Sequence, residues 1–326
     1  MKRNSIFNLH SNNEFDKMAL EIFQFQAKNN VVYKDFLTHI HIDAHTVKKI
    51  EEIPFLPIQF FKSHKILSSN SVVQSVFLSS GTTGNEQSKH FVTDLDLYEE
   101  SFTKGFEYFY GAIQDYTVLA LLPSYLDRNG SSLIYMVNDF IQKSKNKKSG
   151  FYLNNLDELA NNLIELDKKE EKILLIGVSF ALLDLVEKHK FQLKNTIVME
   201  TGGMKGRRKE LIREELHQIL CEGFGLENIH SEYGMTELLS QAYSKGQGIF
   251  ECPPWMKIIT RDTEDALTIL EEGKSGGINI IDLANINSCS FIATQDLGKA
   301  YPNGTFEVLG RFDDSDIRGC NLMVMS

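Results

Sequence analysis

Cysteine is scarce: only Cys221, Cys252, Cys289 and Cys320 occur, and no two stand as C-x-x-C. That scatter argues against a disulfide framework and a zinc knuckle, and a reducing cytoplasm is the simplest expectation. Long apolar runs are also missing. No stretch approaches the roughly 18 residues that span a bilayer, and Met1-Lys2-Arg3 has no apolar run behind it, so neither a membrane span nor a secretory signal is expected. Positive charge is in deficit. A formal net charge of −10 leaves no general field for a nucleic-acid backbone or an anionic membrane, although a local basic site can still hold a phosphate. There is no internal repeat and no low-complexity tract; residues 143–148 read as a short basic surface run. The Walker string G-x-x-x-x-G-K-[ST], the G-x-G-x-x-G turn and the H-E-x-x-H helix are all absent.

What is present is ordinary globular material: 42% apolar and 24% charged residues, with 22 Phe and 11 Tyr to fill a core. Residues 1–65 read as a mostly helical lead-in, with Phe15, Met18, Ile22 and Phe23 near helical spacing and Ile53-Pro54-Phe55-Leu56-Pro57 breaking it. Residues 66–240 alternate strands and helices. Strands are expected at 72–78, 117–122, 172–176, 196–199 and 229–233, and helices after Thr93-Asp94-Leu95-Asp96 (a capping box with Asp for Glu), from about 132, up to His189, and over 207–224. That order predicts a largely parallel α/β sheet with helices on its faces. Residues 241–326 lose the helices and show strand-like pieces at 257–260, 267–270, 278–282, 291–294 and 305–309, a β-rich subdomain with a short tail; the three segments are read as one structural unit.

Two places carry candidate chemistry. Ser79-Ser80-Gly81-Thr82-Thr83-Gly84 follows a strand; its glycines let the backbone approach a ligand, its hydroxyls and amides can donate to phosphate oxygens, and Lys89 adds a positive charge. On the loop alone, a flexible surface turn explains the same residues. Ser231-Glu232-Tyr233-Gly234-Met235-Thr236-Glu237 offers a ring that can stack on a base, a hydroxyl for a phosphate and a carboxylate for magnesium, or else an ordinary strand–turn–helix junction. Gly177-Val178-Ser179-Phe180-Ala181 resembles a nucleophile elbow with Ala in the last place. A serine hydrolase would need a downstream acid and then a histidine, but His189 and His217 fall on predicted helices and none follows His230, so Ser179 reads as a helix N-cap. His39, His41, Asp43 and His45 would share a face of a strand, but a surface cluster is the simpler reading. Phe102, Phe106, Tyr125 and Tyr135 can line an acyl channel, although aromatics at helical spacing are more often core.

Taken together and in order, the 79–84 loop with Lys89, then Tyr233-Gly234-Met235-Thr236-Glu237, then Asp296, then Gly310-Arg311-Phe312-Asp313-Asp314, resemble the motif set of the adenylate-forming superfamily. Phe60-Phe61-Lys62-Ser63-His64-Lys65-Ile66 and Ile317-Arg318-Gly319-Cys320 are similar to its LuxE-type acyl-protein synthetases. The resemblance runs from about residue 50 onward. It implies the fold of the superfamily's N-terminal domain, ATP and Mg²⁺ as cofactors, and activation of a carboxylic acid, a fatty acid in this group, to acyl-AMP. Ser79, Ser80, Gly81, Thr82, Thr83, Gly84 and Lys89 would cradle the β- and γ-phosphates. Gly202, Gly203 and Met204 would line the adenine pocket with Tyr233, flanked by Gly234 and Met235. Thr236 would meet the α-phosphate, Glu237 the magnesium, Asp296 the ribose hydroxyls, and Arg311 the ribose or phosphate. Full-length superfamily members carry a further domain bearing a catalytic lysine; here only 15 residues follow Arg311, which favours acyl transfer to Cys320 over ordinary CoA ligation. Cys320 lies nine positions after Arg311, an extended reach of up to roughly 30 Å, and Arg318 would help lower the thiol pKa. A reductase partner is implied for the acyl group. The open alternatives are transfer to CoA or a carrier protein, and a non-catalytic nucleotide-binding subunit.

Overall fold

Every residue of Thr117–Leu121 and Ile173–Gly177 is buried. Strands covered on both faces in this way belong at the centre of a parallel sheet. The computed structural model describes residues 3–79, 87–123, 130–153, 155–202 and 211–311. The chain is α/β, and its contacts divide it into two compact units. The first holds Met1–Ser101, Met235–Ser240 and Glu251–Ser326; the second holds Phe102–Gly234 and Gln241–Phe250.

The second unit carries the parallel strands. Gly150–Phe151, Thr117–Leu121, Ile173–Gly177, Thr196–Glu200 and His230–Tyr233 lie side by side in that order, all parallel, and Ala242–Ser244 adds antiparallel to His230–Tyr233. Helices Ser132–Ser144, Leu156–Lys168, Ser179–Lys188 and Arg213–Phe224 complete the alternation. The strands expected at 117–122, 172–176, 196–199 and 229–233 and the helix expected from about 132 fall where the sequence puts them. Leu156–Lys168 was not foreseen; Asn155 caps it by accepting from the Glu158 N–H, and Leu159, Ala160, Leu163 and Leu166 are its buried stripe. Arg213–Phe224 ends at Gly225 in the left-handed region (φ 70°); residues 207–210 of the helix expected there lie outside the described residues. Phe102, Phe106 and Phe140 are fully buried and pack ring against ring, so the first two are core. Tyr135 is half-buried, and Tyr125 lies outside the described residues.

The first unit is helical at its start and antiparallel afterwards. Helix Asn12–Asn29 is capped by Ser11, and Val31–His39 by Asn30. Strands Met256–Arg261, Ser275–Asp282, Phe291–Ala300 and Thr305–Arg311 pair antiparallel in sequence order, and Leu56–Pro57 runs parallel to Phe291–Ala300. Ser75–Leu78 and Lys89–Val92 form a separate two-stranded hairpin.

Three expectations change, and the histidine segment keeps its surface reading. The strand over 267–270 is reduced to one bridge, Arg261 with Ile269, because Asp265 accepts from the Leu267 N–H and the Thr268 hydroxyl and makes a turn. Asp94, not Thr93, caps helix Leu95–Tyr110, through the Leu97 N–H at 3.0 Å. Val178 occupies the N-cap position before Ser179–Lys188, and the Ser179 hydroxyl donates instead to the Glu200 carboxylate at 3.1 Å, a charge-assisted bond. His39 ends a helix and Asp43 caps a short 3₁₀ turn, so the histidines do not share a strand face. Among the described residues no group of three metal-binding side chains occurs, and no helix is long and apolar enough to cross a membrane.

In the second unit, Gly223 is where helix Arg213–Phe224 meets helix Ser179–Lys188. A Cβ there would lie 2.4 Å from the Val186 Cβ. Gly223→Ala is expected to lower unfolding stability by about 1–3 kcal/mol in urea titrations, and Val186→Ala in the same chain to restore part of it.

Candidate functional site

The Met235–Ser240 segment belongs to the first unit although the strand before it, His230–Tyr233, belongs to the second. Three buried side chains hold its main chain. Asp282, with no solvent exposure, accepts from the Leu239 N–H (2.8 Å), the Ser240 N–H (3.0 Å) and the Ser240 hydroxyl (2.6 Å). Asn285, on the turn that Asp282 caps, donates its amide to the Glu237 carbonyl at 2.8 Å. His90 donates from Nδ1 to the Thr236 carbonyl at 2.8 Å. The Ser240 hydroxyl also meets Ser101 and the Trp255 indole N–H. These donors and acceptors leave Thr236–Ser240 little freedom to slide.

The hairpin reaches the same segment. The neck of its connection is closed by the Ser79 N–H donating to the Ser88 carbonyl and the Ser88 N–H donating to the Ser79 hydroxyl oxygen. Ser88 is buried, Lys89 is exposed, and the Ser88 hydroxyl bonds the Glu237 carboxyl. Burial raises the Glu237 pKa; the Ser88 bond and Arg311 oppose the rise, and Asp296 adds to it. Asp296 and Arg311 face each other across the strand ladder, with the Arg311 Nε 3.4 Å from the carboxylate. Asp296 is nearly buried, whereas Arg311 is 73% exposed. Of the candidate residues, the first unit therefore gathers Thr236, Glu237, Asp296, Arg311 and the neck of the hairpin. Met235 is half-buried beside them in sequence.

In the second unit the loop after Thr196–Glu200 begins with Gly202 at φ 64°, whose N–H donates to the Glu200 carboxylate at 2.8 Å. Burial alone would push Glu200 up, but His217, Arg213, the Gly202 N–H and Ser231 outweigh it and hold it at about 2. Glu232 moves the other way, to about 8, through burial and the Glu200 charge. A Cβ on Gly234 would lie 2.3 Å from the Glu232 Oε1, so a larger residue there requires that carboxyl to shift. Tyr233 is nearly buried and packs its ring edge-on to Phe250 at 5.9 Å. Ser179 is buried against Glu200 rather than poised beside an imidazole. Ser80, Gly81, Thr82, Thr83, Gly84, Gly203, Met204 and Cys320 lie outside the described residues.

His90, Asp282, Asn285 and Glu200 were not singled out from the sequence, and His217 was weighed only as a hydrolase histidine. They are buried polar residues scattered along the chain, and only His90, next to Lys89, and Glu200, just before Gly202, stood beside a motif. Both ring nitrogens of His90 face acceptors, Thr236 O and Asn285 Oδ1, yet burial prevails and brings its pKa down to about 4. Unfolded histidine titrates near 6.5. The stability this difference supports is therefore fully present above pH 6.5 and is lost as pH falls toward about 4. Unfolding free energies at pH 7.5 and 5 should differ by about 2 kcal/mol from this residue, and His90→Gln should flatten that acid limb.

A family model described as acyl-protein synthetase, LuxE, matches residues 129–326, more than half of the chain. A long-chain-fatty-acid–luciferin-component ligase of Vibrio harveyi is 23% identical over 324 residues, covering 92% of this chain and 84% of that protein. Among solved structures, 2-hydroxyisobutyryl-CoA ligase in an open conformation with 2-HIB-AMP and CoA gives a TM-score of 0.64 at 11% identity, covering 93% of this chain and 70% of that one. ATP-bound MatB from Rhodopseudomonas palustris gives 0.56 at 16%, covering 74% of this chain; the match spans about half (49%) of the MatB chain. The fold is that of adenylate-forming enzymes. The chain belongs to the LuxE acyl-protein synthetase family and, as such, is an ATP-dependent acyl ligase.

Proposed function

We propose that the protein uses ATP to activate a long-chain fatty acid as acyl-AMP and then passes the acyl group to its own Cys320, from which a partner such as an acyl reductase withdraws it. The observation that carries the first half is the bond between Ser88, at the base of the 79–84 loop and next to Lys89, and Glu237 of the Thr236-Glu237 motif. Two segments far apart in sequence, both of phosphate-binding character, are joined there in one unit. The relative from Vibrio harveyi, named as acting on long-chain fatty acids, supports the choice of acid.

Activation begins with attack of the substrate carboxylate on the α-phosphorus, which breaks the bond to the β-phosphate and releases pyrophosphate. In this reading the 79–84 loop and Lys89 hold the outer phosphates. Thr236 contacts the α-phosphate, and Gly202, Gly203, Met204 and Tyr233 hold the adenine, with Gly234 and Met235 shaping the turn between. Asp296 accepts from the ribose hydroxyls, and Arg311 reaches ribose or phosphate. Glu237 suits magnesium. Its carboxylate is a hard oxygen donor whose pKa burial raises, and a bound cation would favour its ionised form. Among the described residues no cage of three such side chains surrounds it, so phosphate oxygens and water would complete the shell. Bound there, the ion would offset charge on the phosphates. In the second step the Cys320 thiolate attacks the acyl carbon, forming the thioester as the bond to AMP breaks.

Two assays test this. Pyrophosphate exchange into ATP should depend on added long-chain fatty acid; its absence with every acid tried would sink the activation step. With labelled acid and ATP, Cys320→Ser should retain exchange but lose covalent labelling of the chain. Undiminished labelling would instead point to another acceptor.

A further inference from the structure

A buried cation lies behind Asp296, and the proposed ribose contact does not itself account for it. Arg261 ends the strand Met256–Arg261 and is only 6% exposed. Its Nη1 donates to the Ile278 carbonyl (2.8 Å) and the Asn279 side-chain oxygen (2.9 Å), and its Nη2 donates to the Thr294 carbonyl (2.6 Å). The neighbouring strand is shaped around it. A Cβ on Gly277 would lie 2.7 Å from the guanidinium carbon and 2.9 Å from both terminal nitrogens, and one on Gly276 would lie 2.3 Å from the Arg261 carbonyl oxygen. The ladder register also shifts between Gly277 and Asn279. Gly277 thus makes room for the guanidinium, Gly276 for the main chain of residue 261, and such a glycine pair weakens a strand unless something else is gained.

Its position points to Asp296. Thr294, whose carbonyl receives Nη2, turns its hydroxyl oxygen to accept the Asp296 N–H at 3.1 Å, while that hydroxyl donates to the Ile278 carbonyl at 2.9 Å, itself bonded to Nη1. The carboxylate and the guanidinium also interact electrostatically. Asp296 therefore interacts with two arginines of different kinds: Arg261, locked in the sheet, and Arg311, mostly exposed, whose Nε lies 3.4 Å from it.

We infer that Arg261 is a positioning residue that holds Asp296 as a correctly aimed carboxylate for the ribose diol, so that Arg311 can exchange its contact with Asp296 for one with the nucleotide. This rests on the reading of Asp296 given above. A fixed internal cation keeps the acceptor charged after the mobile one has left. Arg261 thus continues to favour the ionised form of a nearly buried carboxylate while Arg311 is engaged elsewhere.

The test compares equilibrium binding of ATP and of 3′-deoxy-ATP by the full chain. Asp296→Asn should erase the preference for ATP. Arg261→Met should reduce that preference about tenfold, the usual worth of a hydrogen bond to a charged group, while affinity for 3′-deoxy-ATP changes little. Because Arg261→Met can unfold the sheet, Gly277→Ala, which crowds the guanidinium but keeps it, and Arg261→Lys, which keeps the charge without the fork, are measured beside it. Gly277→Ala should lower the preference, and Arg261→Lys should retain part of it. Equal weakening toward both nucleotides in the folded variants, with Asp296→Asn behaving as expected, overturns the inference and leaves the ribose reading intact. An unchanged preference in Asp296→Asn overturns both.

Discussion

The Asp282 carboxylate, wholly buried, is the constraint on which the first unit's chemistry rests. It caps its own turn through the Ala284 N–H and grips Leu239 and Ser240 through three further bonds. Burial raises its pKa, and these donors push the other way. A buried carboxylate with four donors is a strong local organiser, because losing any donor leaves part of its charge unsatisfied. Its reach is set by topology. The strand Ser275–Asp282 delivers it at the point where the sheet turns back, and the same turn carries Asn285 to the Glu237 carbonyl. Thus the β-rich end of the chain, devoid of nucleotide-loop character, fixes the motif that bears Thr236 and Glu237.

Buried charge recurs through both units with different outcomes. Glu200 sits among His217, Arg213 and a loop N–H and is held ionised, whereas Glu232, within its field, is pushed to about 8. Two adjacent carboxylates whose pKa values are driven apart are a mark of functional sites as well as of structural networks. Here the structural component is visible: Glu200 orients the Gly202 N–H at the start of the loop that follows its strand. Glu237 belongs to a third class, a carboxyl raised by burial but tethered to the hairpin through Ser88. The gain from burying such groups lies less in net stability, which ion desolvation erodes, than in fixing backbone that would otherwise move.

How much of this was legible in the sequence depends on the range of the interaction. The central strands were readable because burial on both faces writes an unbroken apolar run, as in Ile173–Gly177. The motif residues Thr236, Glu237, Asp296 and Arg311 could be singled out because their order along the chain is distinctive, and the structure brings them together in one unit. The hairpin partner Lys89–Val92 was not, since four residues with one histidine and one lysine carry little strand signal. Leu156–Lys168 was overlooked because its acidic and amide-rich exposed face dilutes a stripe of only a few apolar residues. The supporting polar residues were illegible in principle. Asp282 and Arg261 act through partners 42 and 33 positions away, and a lone buried charge has no local pattern to betray it. Even Ser179, read as a cap, was taken by a carboxylate brought alongside only by the pairing of Ile173–Gly177 with Thr196–Glu200.

The asymmetry between Arg261 and Arg311 extends the same logic to ligand exchange. An exposed arginine at 3.4 Å from a carboxylate contributes little to stability, because solvent screens the pair and ordering the side chain costs entropy. That weakness suits a residue that changes partners, for the contact can be surrendered at small cost. A locked arginine contributes in the opposite way. Its donors are already satisfied by main-chain carbonyls, so it needs no partner exchange and its charge is constant through a catalytic cycle. On the inference drawn above, a constant charge inside the sheet and an exchangeable one on its surface would let a nearly buried carboxylate accept ligand hydroxyls while a cation stays nearby. A single arginine in either position could not do both.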